Sequence, residues 1–229
     1  MQNVKNTMID KFLSLLAPHL CYECQKLGAI LCSNCKYNII NEDFNTCIMC
    51  SAATSKENIC FHCSHLFEHA WCVEERRDVL KRIVNDYKFN NVYAAHGTLA
   101  DLLIGRTPEL PPDCRVVPIP TIPTHIRRRG YDHMLTIARV FAKKKGLQLE
   151  TSLMRRTNTV QTGQTRKKRL QQAEKAFSLK NSRLHGRYLL VDDIVTTGAT
   201  LKTAATLLRQ HGATEVWVAV VLRQPLDKS

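Results

Sequence analysis

Apolar residues in the second two thirds of the chain form short runs that alternate with stretches of helical spacing. The strand-like runs are residues 115–120, 147–153, 176–179, 188–191 and 215–222. The last run is apolar almost throughout, as in strands buried on both faces of a parallel sheet. Helical spacing predicts helices over residues 74–90, 92–104, 131–145 and 201–210. Strands alternating with helices predict a doubly wound α/β domain, with its ligand at the carboxyl ends of the strands.

The first 70 residues follow a different pattern, which is dominated by cysteine. Eight of the ten cysteines form four C-x-x-C pairs: Cys21/Cys24, Cys32/Cys35, Cys47/Cys50 and Cys60/Cys63. Two such pairs supply four thiolates to a tetrahedral ion, so the four pairs predict two structural zinc sites in a double zinc ribbon. Sequential pairing is the simplest scheme, although the spacing also permits a cross-braced one.

Disulfides and an iron–sulfur cluster are the alternative interpretations of these cysteines. A cytosolic location disfavours disulfides, and the spacing does not fit the familiar iron–sulfur patterns. A segment this small and polar depends on metal for its fold. We therefore predict a zinc module at residues 1–70 and an α/β domain at residues 71–229.

Residues 188–201 (YLLVDDIVTTGATL) carry the most specific chemistry of the chain. A buried strand leads into Asp192 and Asp193, and a turn of Thr196, Thr197, Gly198, Ala199 and Thr200 then opens a helix. Backbone N–H groups, short hydroxyls and the positive end of a helix dipole suit a phosphate. The carboxylates suit the vicinal hydroxyls of a sugar, with a divalent metal nearby. The stretch predicts a ribose 5-phosphate site; the alternative is an acidic strand end with a threonine cap.

The net charge of +13 is unevenly placed along the chain. Residues 1–70 hold five basic and six acidic residues, residues 71–150 hold 14 and nine, and residues 151–229 hold 14 and five. The positive part, which contains the phosphate motif, attracts polyanionic ligands and nucleic acid alike, so charge does not separate them.

Two basic segments are candidates for gripping a pyrophosphate. Arg127, Arg128 and Arg129 follow the strand over residues 115–120, where we expect a loop, and guanidinium groups suit bidentate phosphate contacts. Residues 155–170 are polar and basic, and we interpret them as a mobile lid over pyrophosphate. A solvated basic turn and a disordered basic loop are the simpler alternatives.

The motifs of this chain resemble those of known families. The stretch around Asp192 and Asp193 resembles the phosphoribosyl-pyrophosphate (PRPP) motif of type I phosphoribosyltransferases. The order of all the motifs resembles the ComF/ComFC family of competence proteins over roughly residues 18–223. Its elements are the paired cysteines, Y-K-F at residues 87–89, V-P-I-P, R-R-R-G-Y-D and V-D-D-I-V-T-T-G-A-T. His133 stands where that family usually has Gln, and Gln172 where it usually has Asn.

This resemblance implies a type I phosphoribosyltransferase-like domain behind a double zinc ribbon. It also implies that the protein binds PRPP with Mg²⁺ and handles incoming single-stranded DNA in the cytoplasm during natural transformation, together with other DNA-uptake proteins. The alternative is an active phosphoribosyltransferase that acts on an unknown nitrogenous acceptor. A PRPP-sensing regulator of nucleotide genes has no helix-turn-helix to support it.

The candidate residues divide by role. Candidates for catalysis are Asp192, Asp193 and Arg129. Candidates for PRPP contacts are those three with Pro120, Arg127, Arg128, Thr196, Thr197, Gly198, Ala199 and Thr200. Candidates for nucleic-acid contacts are Arg127, Arg128, Arg166, Lys167, Lys168 and Arg169. No apolar run approaches the roughly 20 residues that span a bilayer, and no secretory signal is recognisable, so we expect a cytoplasmic protein.

Overall fold

The computed structural model describes residues 19–55, 57–75, 78–156, 176–180 and 183–224. A five-stranded parallel sheet lies at its centre, in the order β1-β7-β6-β2-β3. Its strands are β1 (Ala70–Glu75), β2 (Arg115–Pro118), β3 (Gln148–Leu149), β6 (Arg187–Val195) and β7 (Glu215–Arg223). Two further strands, β4 (Leu153–Arg155) and β5 (Phe177–Leu179), form an antiparallel pair.

Helices cover both faces of this sheet, which confirms the predicted α/β fold. They are α1 (Ser33–Asn41), α2 (Asp78–Phe89), α3 (Ala95–Arg106), α4 (Pro123–Arg129), α5 (His133–Lys145) and α6 (Ala199–Gln210). The apolar residues of α2, α3 and α5 pack on one face of the sheet, and those of α6 pack on the other. Within the described ranges, no helix combines the length and the apolarity needed to cross a bilayer.

The first predicted helix is shorter than expected because a strand precedes it. Glu74 and Glu75 end β1, which pairs with β7 in the register Ala70↔Val218. The sequence prediction missed this strand, and α2 begins only at Asp78. The apolar face predicted for the helix is confirmed, since all five of its residues are buried: Val79, Leu80, Ile83, Val84 and Tyr87.

The predicted loop at the three arginines is wrong, because Arg127, Arg128 and Arg129 form the last turn of α4. The fixed φ of Pro123 favours the first position of a helix. Gly130, at φ 80°, ends it in the left-handed conformation, and its N–H donates to the carbonyl oxygen of Ile126. Three cations at the carboxyl end of a helix are also stabilised by its dipole.

The strand predicted over residues 147–153 is likewise divided. Gln148 and Leu149 pair with β2 as β3, whereas Leu153 begins β4 and pairs with Leu179. The basic segment predicted as a lid lies mostly outside the described residues, since residues 157–175 are not described.

The cysteine-rich region packs against both faces of the sheet beside β1. Ile30, Leu31 and Ile39, from the part with the first four cysteines, join the core of α2, α3 and α5. Phe44 and Ile48, from the part with the second four, join the core of α6. These extensive contacts leave the domain boundary at residue 70 a prediction.

A buried asparagine lies along the outer edge of β1. The backbone N–H of Asn58 donates to the carbonyl oxygen of Ala70 (2.8 Å), and its Oδ1 accepts from the N–H of Cys72 (2.8 Å). Its Nδ2 donates to the carbonyl oxygen of Phe44 (2.5 Å). On the same edge, Arg106 Nε donates to the carbonyl oxygen of Cys72 (3.0 Å). Asn58 and Arg106 thus satisfy backbone groups that an adjacent strand would otherwise bind.

Candidate functional site

A cleft of about 240 Å³ lies at the carboxyl ends of β2 and β6. Asp192 and Asp193 enter its wall from β6, Pro120 from the segment after β2, Arg129 from α4 and Thr200 from the first turn of α6. Parallel strands end at the same edge of a sheet, so residues far apart in sequence meet there. The cleft therefore brings together five of the residues predicted for PRPP.

The other predicted residues lie beside the cleft or outside the described part of the chain. Thr196 and Thr197 are exposed in the turn that precedes α6, Gly198 completes that turn, and Ala199 begins the helix. Arg127 and Arg128 are exposed on α4. Arg166, Lys167, Lys168 and Arg169 lie outside the described residues. The roles proposed for all these residues stay predictions.

Asp193 is buried and holds two donors. Lys88 Nζ lies 2.8 Å from its Oδ1, and His133 Nε2 lies 2.5 Å from its Oδ2. Burial acts to raise the pKa of this carboxyl, but the charge of Lys88 and the hydrogen bond from His133 outweigh it and hold the pKa well below its usual range. Asp193 is therefore ionised. Each of its oxygens keeps a further lone pair, which can accept a ribose hydroxyl.

His133 links Asp193 to Arg129. Because its Nε2 faces the Asp193 carboxylate, it donates there, and its Nδ1 accepts from Arg129 Nη1 at 3.0 Å. Thr121 Oγ1 lies 2.9 Å from the same Nδ1 and donates to Asp132 Oδ1 at 2.8 Å. The imidazole therefore positions the Arg129 guanidinium in the cleft wall.

Asp192 differs from its neighbour in both environment and charge. It is partly exposed, and its Oδ1 accepts the backbone N–H of Asp193 at 2.9 Å. Burial and the like charge of Asp193 raise the pKa of Asp192 to about 8. A cation or hydroxyl donors beside this carboxylate would relieve that cost. Mg²⁺ prefers oxygen ligands, so Asp192 fits a magnesium ion better than Asp193, which already binds two donors.

Two guanidinium groups of the cleft wall contain buried N–H groups that lack an acceptor among the described residues. These groups are Arg129 Nε–H and Arg155 Nε–H. Burial lowers the pKa of both side chains. A buried donor without an acceptor is costly, and a charged one more so. The donor set of this wall therefore fits an anion with several oxygens, such as a phosphate or a diphosphate.

The turn before α6 is held against the second group of cysteines. Gly198 adopts φ 69°, and a Cβ at this position would lie 2.4 Å from Met49 Sδ. Met49 lies between Cys47 and Cys50. The buried Arg223, at the end of β7, donates from Nε to the carbonyl oxygen of Ile48 at 3.2 Å. The turn and the cysteine loop are thus in direct contact, and the positive φ favours glycine at position 198.

The eight paired cysteines form two groups, and the structure has the sequential pairing, the simpler of the two schemes that the spacing permits. Within each group the Sγ atoms all lie within 4.8 Å of one another: Cys21, Cys24, Cys32 and Cys35, then Cys47, Cys50, Cys60 and Cys63. Two of the separations are 3.7 Å (Cys24 to Cys32) and 3.5 Å (Cys50 to Cys60). Zinc–sulfur bonds of about 2.3 Å in a tetrahedron place the sulfurs about 3.8 Å apart, so both groups fit a metal ion.

The environment shifts the pKa values of the paired cysteines in both directions. Burial acts to raise the pKa of Cys21, but hydrogen bonds from the backbone N–H groups of Cys24 and Cys32 contribute to lowering it to about 6. A metal ion binds the thiolate rather than the thiol. Burial and hydrogen bonds with neighbouring thiols raise the pKa of Cys35 in the same group, so a metal ion would displace a proton from that thiol.

Sequence reasoning missed several residues of the cleft. Lys88 was only a letter of the Y-K-F motif, and Arg155 was grouped with the lid. His133 was noted only as a replacement for Gln. The signal for Lys88 was a lysine at the end of an otherwise amphipathic helix, which is common on any surface.

The chain is similar to a known domain family and to named proteins. Residues 126–229 match the family model described as the phosphoribosyl transferase domain. Competence protein F of Haemophilus influenzae is 28% identical, over 82% of this chain and 88% of that protein. The DNA utilization protein YhgH of Escherichia coli K12 is 25% identical, over 91% of this chain and 99% of that protein.

One solved structure shows a weaker similarity. The glutamine PRPP amidotransferase from B. subtilis is 24% identical, with a TM-score of 0.39, over 55% of this chain and 26% of that chain. This chain therefore spans about a quarter of that protein, and the likeness carries no argument about function.

Proposed function

Because the chain is a homologue of Competence protein F and carries a phosphoribosyltransferase domain, we propose that it binds PRPP with Mg²⁺ and serves DNA uptake. In this proposal the cleft at the ends of β2 and β6 holds PRPP, and basic surface beside it holds single-stranded DNA in the cytoplasm.

The pair of buried guanidinium groups is the observation that carries the PRPP proposal. Arg129 and Arg155 both line one cleft wall, each has a buried Nε–H that lacks an acceptor within the described ranges, and guanidinium groups bind diphosphate oxygens through paired N–H donors. The turn before α6 and the helix behind it would hold the 5-phosphate. Asp192 and Asp193 would accept the ribose hydroxyls. All three parts of PRPP thereby find residues of suitable chemistry in this region.

Mg²⁺ bound with the diphosphate would neutralise part of its charge, and Asp192 is the residue that would help to hold it. The protein's own residues do the positioning. Asp193 fixes His133, and His133 orients Arg129 towards the cleft. Lys88 keeps Asp193 ionised, so that it remains an acceptor for hydroxyls.

We further propose that both cysteine groups hold structural zinc. Tetrahedral thiolate sites of this kind are typical of zinc, and the two sulfur separations fit its bond length. The cytoplasm keeps thiols reduced, which such sites require.

The DNA role draws on the names of the two relatives, which refer to competence and to DNA utilization. Arg127 and Arg128 are exposed on α4 beside the cleft and can contact a phosphate backbone without reading bases. Arg166, Lys167, Lys168 and Arg169 stay predicted contacts. Other DNA-uptake proteins are expected partners.

PRPP binding is tested by thermal unfolding with and without PRPP and Mg²⁺. A ligand that binds only the folded state raises the midpoint by mass action. We expect a rise for the wild type and a much smaller one for Arg155→Gln, which keeps a polar side chain but loses the guanidinium. The matched control is Arg139→Gln, on the exposed face of α5. A wild type without any shift at millimolar PRPP refutes the proposal.

The alternative, an active phosphoribosyltransferase, is favoured by the same cleft. Transfer would break the bond from C1 of the ribose to the diphosphate oxygen and form a bond from C1 to an acceptor nitrogen. Asp192, Asp193 and Arg129 would be its catalytic residues. Release of pyrophosphate from PRPP with any member of a nucleobase panel, and its loss in Asp192→Asn, would establish this activity.

A further inference from the structure

Phe89 is a large apolar residue that stays exposed in the wall of the cleft. It ends α2, and 54% of its surface remains accessible. Single exposed apolar residues are common on protein surfaces and need no explanation. The position of this one is unusual, because it shares the cleft wall with Asp192, Asp193 and Arg129.

The neighbours of Phe89 fix its place. Lys88, directly before it, binds the buried Asp193 at 2.8 Å. Tyr87, one residue earlier, is fully buried, and its hydroxyl donates to the carbonyl oxygen of His133 at 3.1 Å. The backbone that carries the ring is therefore anchored to the floor of the cleft by two adjacent side chains.

Two cations accompany the ring. The guanidinium carbons of Arg128 and Arg129 lie 5.6 Å and 5.3 Å from its centroid. Guanidinium groups at this distance are attracted to an aromatic face and are also ready partners for phosphate oxygens. The ring, the two arginines and the cleft thus place a stacking surface beside groups that bind phosphate.

We propose that Phe89 is a stacking platform for an unpaired nucleobase at the mouth of the cleft. The proposal rests on the proposed function, and it supplies the base-binding surface that the phosphate-binding groups lack. Every nucleobase has a planar aromatic face, so stacking on Phe89 accepts bases without regard to sequence. The base belongs either to single-stranded DNA or to a free nucleobase beside bound PRPP.

The DNA source is tested by comparing oligothymidylate with an abasic oligomer of equal length, which offers the same phosphates without bases. Stacking on an aromatic side chain contributes about a 5- to 150-fold preference per base. We expect the wild type to prefer oligothymidylate by at least about fivefold, by fluorescence anisotropy at low salt. Phe89→Leu should lose most of this preference, whereas Phe89→Tyr, which keeps a ring, should retain it.

The matched control is Tyr37→Leu, because Tyr37 is an aromatic residue on α1, 68% exposed and outside the cleft wall. It should keep the full preference for bases. Circular dichroism and thermal unfolding establish that each variant is folded. If folded Phe89→Leu keeps the wild-type preference for oligothymidylate over the abasic oligomer, Phe89 does not stack on DNA bases. Its ring then only packs against Arg128 and Arg129.

The free-base source is tested by saturation-transfer NMR with adenine and thymine in the presence of PRPP and Mg²⁺. A signal that is present in the wild type and absent in Phe89→Leu supports the platform with a small acceptor. Dependence on Phe89 in either assay supports the proposal, and dependence in neither overturns it. The thermal shift of the wild type with PRPP is a separate readout. If base binding depends on Phe89 but PRPP causes no thermal shift, only the proposed PRPP function is refuted.

Discussion

Lys88 and Asp193 form an ion pair of 2.8 Å in the floor of the cleft, with side chains only 16% and 6% exposed. The second carboxylate oxygen binds His133. Two donors therefore stabilise a charge that burial alone would disfavour. This pairing holds Asp193 in the cleft as an ionised carboxylate, whereas Asp192 has no such cation within hydrogen-bond distance among the described residues.

Removing one partner from this ion pair should lower the free energy of unfolding. Lys88→Met leaves the buried Asp193 charge with His133 alone, and breaking a buried ion pair in this way costs about 3–5 kcal/mol. Urea denaturation measures the loss. Combining Lys88→Met with Asp193→Asn should restore much of it, because no unpaired charge then remains buried.

The control for this prediction is Lys36→Met, which removes a more exposed lysine from Asp101, with side chains 26% and 30% exposed. Pairs of this kind contribute about 0–1 kcal/mol. Equal losses for Lys88→Met and Lys36→Met would contradict the special role of the buried pair.

The raised pKa of Asp192 predicts that the stability of the protein depends on pH. Its pKa is raised by burial and by Asp193 to about 8, whereas an aspartate in the unfolded chain titrates near about 3.9. Between these values the folded state holds more protons than the unfolded state, so this residue lowers stability as the pH rises. Asp192→Asn should therefore gain stability over the wild type between about pH 4 and pH 8.

Urea titrations across this pH range measure the difference. The exposed Asp43 provides the control, since Asp43→Asn should follow the wild-type pH curve closely. Parallel curves for wild type and Asp192→Asn would show that the carboxyl titrates at its ordinary pKa in the folded protein.

Gly198→Ala should disrupt the turn for two separable reasons. The new Cβ meets Met49, and φ 69° strains any residue other than glycine. We expect a loss of at least about 1 kcal/mol in the free energy of unfolding, together with a weaker thermal shift by PRPP. Adding Met49→Ala should recover part of the stability, because it removes the clash and leaves the strain.

Gly97→Ala is the matched control, since this glycine lies within α3 and its added Cβ meets nothing within 4 Å. That change should stabilise the protein by roughly 0.5–1 kcal/mol. If Gly198→Ala behaves like Gly97→Ala, the contact of the turn with Met49 does not constrain it.

The two metal sites should differ in their effect on PRPP. Cys24→Ser and Cys50→Ser each remove an exposed cysteine from one group, and elemental analysis should find about one zinc ion per chain instead of about two. Only Cys50→Ser should weaken the thermal shift by PRPP, because Met49 beside it supports Gly198. If Cys24→Ser and Cys50→Ser weaken the thermal shift by PRPP equally, this coupling is refuted.

DNA binding should be electrostatic. The logarithm of the binding constant for oligothymidylate should fall linearly with the logarithm of the salt concentration. The slope should be about −0.7 per phosphate contacted. Arg128→Gln should make that slope shallower by about 0.7 and weaken all sequences alike, whereas Arg139→Gln should change neither. A salt-insensitive interaction, or none at low salt, removes the DNA role and leaves the enzyme alternative.

Patterns local in the chain predicted a large part of this structure. The alternation of strands and helices predicted the fold, and the four C-x-x-C pairs predicted two groups of four cysteines, although their spacing left the pairing open. Asp192 and Asp193 were found because they are adjacent to the turn in sequence. Each of these features depends on residues close together along the chain, which periodicity and spacing can detect.

Features that depend on distant residues were not predicted. Lys88 and His133 contact Asp193 across separations of 105 and 60 positions in the sequence. Periodicity and motif spacing in a single sequence do not predict contacts between residues so far apart. The short β1 looked like the start of a helix because its final residues, Glu74 and Glu75, favour helices, and only pairing with β7 makes it a strand. Tertiary contacts overrode local propensity in that case.

The way Asn58 and Arg106 bind the outer edge of β1 bears on self-association. An uncovered edge strand offers backbone groups to strands of other molecules, which leads to aggregation. Here side chains and backbone from outside the sheet occupy the groups at Ala70 and Cys72. At the opposite edge, β3 is only two residues long and offers little length for pairing. Asn58, from the cysteine-rich segment, and Arg106, from α3, therefore cover an edge at which sheets of separate molecules could otherwise pair.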